Sequence, residues 1–169
     1  MDDASVTTDT PVSGVVLDID GVLADVRHRL HHLESRPKDW DSFFAAASAD
    51  PLLDIGAGFA RRASSTHVVV YLTGRPDWLR TQTQQWLDEH NLPQGRLLMR
   101  PDGDRRPAAV IKLNHLRALR KELPVDLIVD DDKAVLDVAR RAGFMVQLAD
   151  WMPRDGDVLT EAQEREGRT

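Results

Sequence analysis

The sequence contains no cysteine and no long apolar run. The absence of thiols excludes disulfides, thiolate metal sites and cysteine nucleophiles, and it is typical of a cytoplasmic protein. No apolar segment approaches the ~18 residues that a membrane helix requires, so we expect no membrane association. The first ten residues, MDDASVTTDT, lack the basic and apolar regions of a signal peptide.

The negative charge of the chain is concentrated at its two ends. Of the 28 acidic and 22 basic residues, three acids lie in residues 1–11, and five acids with two bases lie in residues 155–169. Residues 12–154 therefore carry 20 of each sign. We predict a disordered tail at 1–12, one globular domain at 13–154 and an acidic tail at 155–169. A body without net charge offers little attraction to a long polyanion.

Short apolar runs alternate along the chain with helical patterns. Three periodic stretches predict helices, at Asp77–His90, Ala108–Glu122 and Lys133–Ala142. Because strand and helix alternate, the pattern indicates an α/β fold with a parallel five-stranded sheet. Residues 26–66 are too long for an ordinary connection and predict a small helical cap insert after strand one. The runs that predict buried strands are Val15–Ile19, His67–Leu72, Leu97–Met99, Val125–Val129 and Phe144–Leu148.

Polar motifs stand where three of the predicted strands end. The segment Asp18-Ile-Asp20-Gly21 follows strand one, Thr73-Gly74-Arg75 follows strand two, and Asp130-Asp131-Asp132 follows strand four. A fourth signal, Lys112, lies in the first turns of a predicted helix. Ligands of open parallel sheets bind outside the carboxyl ends of the strands, so we expect these motifs to meet in one crevice.

The crowded carboxylates predict phosphoryl-transfer chemistry. Two like charges ~4 Å apart repel by about 4 kcal/mol at an effective dielectric of ~20, so four aspartates in one crevice require a hard cation such as Mg²⁺. Asp18 can attack phosphorus and form an aspartyl-phosphate. Asp20 can act as general acid and base, with a pKa that we expect neighbouring carboxylates to raise. Thr73 and Lys112 can donate hydrogen bonds to the phosphoryl oxygens.

Other interpretations of these residues are weaker. A calcium-binding EF-hand needs glycine at position six and glutamate at twelve, but counting from Asp18 the glycine is fourth and Arg29 is twelfth. His28 and His32 have the i, i+4 spacing of a zinc site, without an evident carboxylate partner. We interpret three aromatic residues of the insert as packing residues and not as a base-stacking surface: Trp40, Phe43 and Phe44.

The motifs resemble the haloacid dehalogenase (HAD) superfamily of phosphotransferases over about residues 13–150. Within that superfamily the chain is most similar to the 3′-phosphatase domain of polynucleotide kinase–phosphatases. The resemblance implies a Rossmann-like sheet of order 5-4-1-2-3, flanked by helices. The segments that carry the resemblance are DIDGVLADVRHRL, KDWDSFF, TGRP, LMRPDGD and IVDDDKAV.

The same resemblance implies a role for each site residue. Asp18 corresponds to the nucleophile and Asp20 to the general acid/base, with Thr73 and Lys112 binding phosphate. The implied magnesium ligands are Asp18, the carbonyl of Asp20, Asp130 and Asp131. The expected contacts to the rest of the substrate are Gly74, Arg75, Arg100 and His28.

The expected function is a Mg²⁺-dependent phosphomonoesterase that removes 3′-phosphates from polynucleotide ends or nucleotides. A 5′-nucleotidase or other small-metabolite phosphatase is the alternative enzyme. A phosphate-binding module without turnover is the alternative of another class, and the presence of Asp18 and Asp20 argues against it. No Gly-x-x-x-x-Gly-Lys-[Ser/Thr] loop occurs, so any kinase or ligase component would be separate. The sequence leaves the leaving group and the oligomeric state open.

Overall fold

The computed structural model describes residues 12–153, and its centre is a parallel sheet of five strands. The strand order is β3-β2-β1-β4-β5, which is the predicted order 5-4-1-2-3 read from the opposite edge. The predicted fold class is therefore confirmed. The strands are β1 (Gly14–Leu17), β2 (Val68–Pro76), β3 (Gly95–Arg100), β4 (Val125–Asp130) and β5 (Val146–Leu148).

Five α-helices connect and cover the strands. Their bounds are α1 (Trp40–Ala45), α2 (Asp54–Ala63), α3 (Arg80–Glu89), α4 (Ala108–Leu119) and α5 (Lys133–Arg141). Three 3₁₀ helices lie at Arg27–Leu33, Ala46–Ala49 and Asp77–Leu79. In residues 12–153, no helix has both the length and the apolar character of a membrane span.

The central strand β1 separates two apolar layers. Val15 and Leu17 point into a layer shared with the helices α1, α2 and α3, whereas Val16 points into a layer shared with α4 and α5. All four residues of β1 are buried, as expected for a strand with helices on both faces. The carboxyl end of β1 therefore opens into a crevice between two covered faces.

The segment between β1 and β2 is helical, as predicted, and has two parts. The first contains α1 and the 3₁₀ helices at Arg27–Leu33 and Ala46–Ala49. The Asp39 side chain caps α1, because it accepts a hydrogen bond from the Ser42 amide at 3.0 Å. The second part, α2, packs on the sheet itself. The limits 13–154 and 26–66 stay predictions, and the predicted tails lie outside the described residues except for Val12.

Strand β2 runs further than the sequence predicts. We expected it to end at Leu72, but it continues to Pro76, which pairs with Arg100 of β3. The pairing is irregular between Leu72 and Pro76, so Thr73 lies in a distorted stretch within the strand and not beyond its end. This irregularity depends on pairing with a strand that begins 19 positions after Pro76, which a local apolar run cannot reveal.

Candidate active site

The loop after β1 is folded tightly onto β4. The Asp18 amide donates to the Val129 carbonyl at 3.0 Å, and the Ile19 carbonyl accepts from amides further along the loop. Gly21 has φ +82°, a left-handed conformation, and a side chain there would lie 2.3 Å from Asp131 Oδ2. The glycine thus allows the loop to approach the acidic residues that follow β4.

Lys112 joins the two acidic motifs. Its Nζ lies 2.8 Å from Asp18 Oδ2 and 2.7 Å from Asp130 Oδ2, and all three side chains are buried. The Ile19 amide donates to Asp18 Oδ1 at 2.7 Å, and the Asp132 amide donates to Asp130 Oδ1 at 2.9 Å. The structure therefore brings together Asp18, Lys112 and Asp130. Asp18 and Asp130 are 112 positions apart in the sequence.

Three carboxylates of this site could hold a metal ion. One oxygen each of Asp18, Asp130 and Asp131 lies within 4.8 Å of the other two. Two oxygens bound to one Mg²⁺ lie at most about 4.2 Å apart, so a small adjustment would let all three bind the same ion. The donor set, made of oxygen atoms alone, also fits this hard cation.

The electrostatics of Asp18 and Asp131 agree with that fit. Burial, together with repulsion from Asp130 and Asp20, raises the pKa of Asp18 to about 8 despite the opposing Lys112. Burial and the neighbouring Asp130 and Asp18 raise the pKa of Asp131 well above its usual value. A divalent cation would relieve this repulsion and favour the ionised carboxylates.

A second buried network surrounds Asp20. Asp20 Oδ1 accepts from Arg29 Nη2 at 2.9 Å and from Arg75 Nη2 at 2.5 Å and Nε at 3.0 Å. Asp50 Oδ2 accepts from the same Nη2 atoms of Arg29 and Arg75, at 2.7 and 2.8 Å. The guanidinium of Arg29 also lies over the ring of Phe43, 4.1 Å from its centroid. Two cations and two anions thus neutralise one another away from water.

The expected pKa shift of Asp20 is wrong. Burial alone would raise the pKa of Asp20, but Arg75 and Arg29 outweigh it and lower the pKa to about 2. We predicted the opposite because we assigned Arg75 to the substrate and did not place Arg29 beside Asp20. The Asp20 carboxylate lies with these arginines and outside the group of three aspartates, which leaves its carbonyl as the predicted metal ligand.

Arg29 was not predicted to pair with Asp20, and Asp50 was not among the predicted site residues. They lie in the insert, 9 and 30 residues after Asp20, and both are fully or almost fully buried. The one available signal was that Arg29 lies in DIDGVLADVRHRL, a segment that carries the family resemblance. The sequence showed no evident carboxylate partner for His28. Asp50 is such a partner, because its Oδ1 lies 2.7 Å from His28 Nε2.

The remaining predicted residues occupy different positions around the crevice. Thr73 is fully buried, and the pairing of Leu17 with Tyr71 places it beside the loop that follows Asp18. Arg100 is buried and supports the backbone, since its Nε donates to the Gly74 carbonyl at 3.0 Å. Arg75 and His28 are engaged with aspartates. Direct contact of Gly74, Arg75, Arg100 and His28 with substrate stays a prediction.

Comparison with known families agrees with this geometry. The sequence model of the polynucleotide kinase PNKP phosphatase domain, a HAD family, matches residues 12–150. The chain belongs to this family. No curated protein sequence matches the chain. The family membership supports a phosphatase and covers all the site residues described above.

Solved structures similar to this chain share its fold. The Pnkp1/Rnl/Hen1 complex is 24% identical with a TM-score of 0.69, covering 88% of this chain and 50% of that one. A haloacid dehalogenase-like hydrolase from Streptococcus pneumoniae is 14% identical with a TM-score of 0.60, covering 88% and 90%. A HAD enzyme from Bacteroides thetaiotaomicron, in complex with magnesium and inorganic phosphate, is 11% identical with a TM-score of 0.52, covering 88% and 98%. The chain thus spans half the length of the chain that it matches in the Pnkp1/Rnl/Hen1 complex.

Proposed function

We propose that the protein is a Mg²⁺-dependent phosphomonoesterase that acts through an aspartyl-phosphate on Asp18. The observation that carries this proposal is the buried arrangement of Lys112 between Asp18 and Asp130, at 2.8 and 2.7 Å, with Asp131 close enough to share a cation. A nucleophile, a cation and a metal site then lie within reach of one phosphoryl group. The family membership supports the same reaction.

In the first step, a carboxylate oxygen of Asp18 forms a bond to phosphorus while the bond from phosphorus to the leaving alcohol breaks. In the second step, water attacks the phosphorus of the aspartyl-phosphate and releases inorganic phosphate, which restores Asp18. Lys112 and Thr73 donate to the non-bridging oxygens, where negative charge is spread in the transition state.

Asp20 supplies the base of the second step. Its carboxylate is kept ionised by Arg29 and Arg75, and it takes up the proton from the attacking water once these ion pairs loosen, because their hold weakens it as a base. Donation of a proton to the leaving alcohol requires a protonated Asp20. An anionic substrate that competes for the two guanidiniums would weaken their hold on Asp20 and move its pKa back towards the ordinary value.

Magnesium would be held by Asp18, Asp130 and Asp131, with the carbonyl of Asp20 as the further ligand that the family resemblance implies. The ion supplies charge neutralisation for a phosphoryl oxygen and for the crowded carboxylates. Lys112 lies between two of these carboxylates, so it orients both before substrate arrives.

The substrate that we propose is a 3′-phosphate on a nucleotide or polynucleotide end. Support comes from the family, which is the phosphatase domain of a polynucleotide kinase, and from the likeness to a chain of the Pnkp1/Rnl/Hen1 RNA repair complex. By the same analogy, the chain would act together with kinase or ligase components. Phosphate removal at a chain end is the step that such components require.

A substrate panel tests the proposal. Release of inorganic phosphate is measured with Mg²⁺ for 3′-phosphorylated oligonucleotides, 3′-mononucleotides and 5′-mononucleotides. We expect turnover of the 3′-phosphates, its loss with a chelator and its loss in Asp18→Asn, while Asp137→Asn, an exposed control on α5, remains active. Preference for 5′-mononucleotides would indicate the alternative nucleotidase, and full activity of Asp18→Asn would refute the mechanism.

A further inference from the structure

A cavity of about 170 Å³ lies beside the candidate active site. It opens between the insert and the carboxyl ends of β2 and β3. Trp40 and Phe44 from α1 form one part of its wall, and Pro76 and Trp78 form another. None of the residues assigned above to phosphate or metal binding lines it, so the cavity is a separate place for some other part of a ligand.

The cavity lies close to the phosphate-binding end of the crevice. Pro76 is three residues from Thr73 along β2, a distance of at most about 10 Å in an extended strand. Arg100 also lines the cavity, and its Nε donates to the carbonyl of Gly74, next to Thr73. A small molecule with its phosphate at Asp18 and Thr73 could therefore place its other end in the cavity.

Trp78 is the most exposed tryptophan of the described residues, with 57% of its surface accessible. The predicted helix Asp77–His90 includes it, but it lies in the 3₁₀ turn before α3. Its backbone amide donates to Asp102 Oδ1 at 2.9 Å, and its ring meets that of Phe44 at 89° with centroids 6.0 Å apart. The indole is thus held in place by its neighbours and still presents surface to the cavity.

The other aromatic residues hold the wall in position. Trp40 and Phe44 are buried, and their rings stack with centroids 5.7 Å apart and planes 29° apart. Phe43 is fully buried under Arg29. These three residues pack the insert, as the sequence analysis proposed. Trp78 differs from them because packing does not account for its exposed surface.

The charged residues that line the cavity are balanced in sign, with two acids and two bases. They are Asp41, Asp104, Arg100 and Arg105. Arg106 pairs with Asp104 at 2.6 Å, and the Asp41 carboxylate is exposed at the rim, where the exocyclic amino group of a base could donate to it. Flat aromatic rings stack on tryptophan in sites for single-stranded nucleic acid.

We propose that this cavity binds the nucleobase of the nucleotide whose 3′-phosphate reaches Asp18, and that Trp78 stacks on it. The inference rests on the proposed function and adds to it the part of the substrate that sets specificity. It makes the enzyme selective for nucleotide 3′-phosphates over phosphates of other secondary alcohols that carry no base. Trp78 is then a specificity-determining residue and takes no part in the bond-making steps.

The test compares two secondary-alcohol phosphates, a nucleoside 3′-monophosphate and glycerol 2-phosphate, which has no base. The ratio of their kcat/KM values is measured for the wild type, Trp78→Ala, Trp78→Leu and Trp78→Phe. Leucine preserves apolar packing against Phe44 without a ring, so it gives the same comparison if alanine disturbs the fold. Ile55→Ala, exposed on α2, is the control.

We expect the ratio to fall roughly 5- to 100-fold in Trp78→Ala and Trp78→Leu, mainly through KM. Trp78→Phe should keep most of the preference, and Ile55→Ala all of it. An unchanged ratio in both ring-less variants would overturn the nucleobase site while leaving the phosphatase intact. A wild type that hydrolyses 5′-mononucleotides and no 3′-phosphates would overturn the proposed function and this inference together.

Discussion

At the scale of single residues, the site divides into a candidate metal-binding half and an arginine-binding half. Asp18, Asp130 and Asp131 form the first, and Asp20 belongs to the second through Arg29 and Arg75. The motifs were sufficient to predict the first half, because each lies at the end of an apolar strand. The second could not be predicted, because Arg29 and Asp50 lie in an insert whose path over the sheet has no local signal.

Asp50 stabilises the arginine-binding half, so its removal should destabilise the protein. Asp50→Ala leaves Arg29 and Arg75 buried with one counter-charge fewer, and breaking a buried pair costs about 3–5 kcal/mol. Urea denaturation measures the change in the free energy of unfolding. The control Asp137→Ala removes an exposed pair with Arg140 and should cost about 1 kcal/mol or less. Equal losses in both variants would contradict the role of Asp50.

Gly21 should be required for activity because of its contact with Asp131. In Gly21→Ala, the new methyl group would lie 2.3 Å from Asp131 Oδ2 on a backbone of φ +82°, so the loop or the carboxylate must move. We expect a loss of at least about tenfold in kcat/KM and in affinity for Mg²⁺, as is typical when the residues that position metal ligands are altered.

Gly143 provides the matched control for this prediction. It has φ +87°, but a side chain there would meet no atom within 4 Å. Gly143→Ala should therefore cost some stability through backbone strain, about 1–2 kcal/mol, and leave the kinetic constants unchanged. If both variants lose activity equally, contact with Asp131 is not the cause.

At the scale of helices and strands, the sequence predicted which segments form the sheet and less well where they end. Each strand is an apolar run that is visible within its own segment, so all five were found. Strand β2 extends to Pro76 because it pairs with β3, and the predicted helix at Asp77–His90 begins as a 3₁₀ turn before α3. Such boundaries depend on contacts between elements, which no single segment encodes.

Two glycines of α2 provide a test of how that helix packs. A side chain at Gly56 would lie 1.8 Å from the Val22 carbonyl, in the loop that carries the site, whereas at Gly58 it would meet only the flexible end of Arg62 at 3.2 Å. Replacing glycine by alanine within a helix stabilises it by roughly 1 kcal/mol when space allows. We expect Gly58→Ala to be neutral or stabilising.

Gly56→Ala should act in the opposite direction, because the helix must move away from Val22. Overpacking of this kind costs about 1–3 kcal/mol. Thermal unfolding of the two variants side by side measures the difference. A Gly56→Ala variant as stable as Gly58→Ala would show that α2 does not press against this loop as the structure indicates.

At the scale of the whole molecule, the described body buries more acidic than basic side chains, six aspartates against three arginines and one lysine. The crevice holds several buried aspartates, and burial raises the pKa of both Asp18 and Asp131. Binding of a cation to the folded state alone should therefore stabilise the entire domain through mass action. This effect is independent of any substrate.

Mg²⁺ should raise the melting temperature. At tenfold over its dissociation constant, the ion adds about 1.4 kcal/mol, which corresponds to roughly 3–6 °C for a chain of this size. Differential scanning fluorimetry with and without Mg²⁺ measures the shift at constant ionic strength. Asp131→Asn should remove most of it, whereas the exposed control Asp137→Asn should keep it. An equal shift in both variants would place the ion elsewhere.

The most direct measurement of the central claim is identification of the phosphorylated residue. The wild type is mixed with a 3′-phosphorylated oligonucleotide and Mg²⁺, quenched in acid within milliseconds, digested and analysed by mass spectrometry. The account predicts one phosphoryl group on Asp18, absent without Mg²⁺ and absent in Asp18→Asn. A phosphoryl group on another residue, or normal turnover by Asp18→Asn, would contradict it.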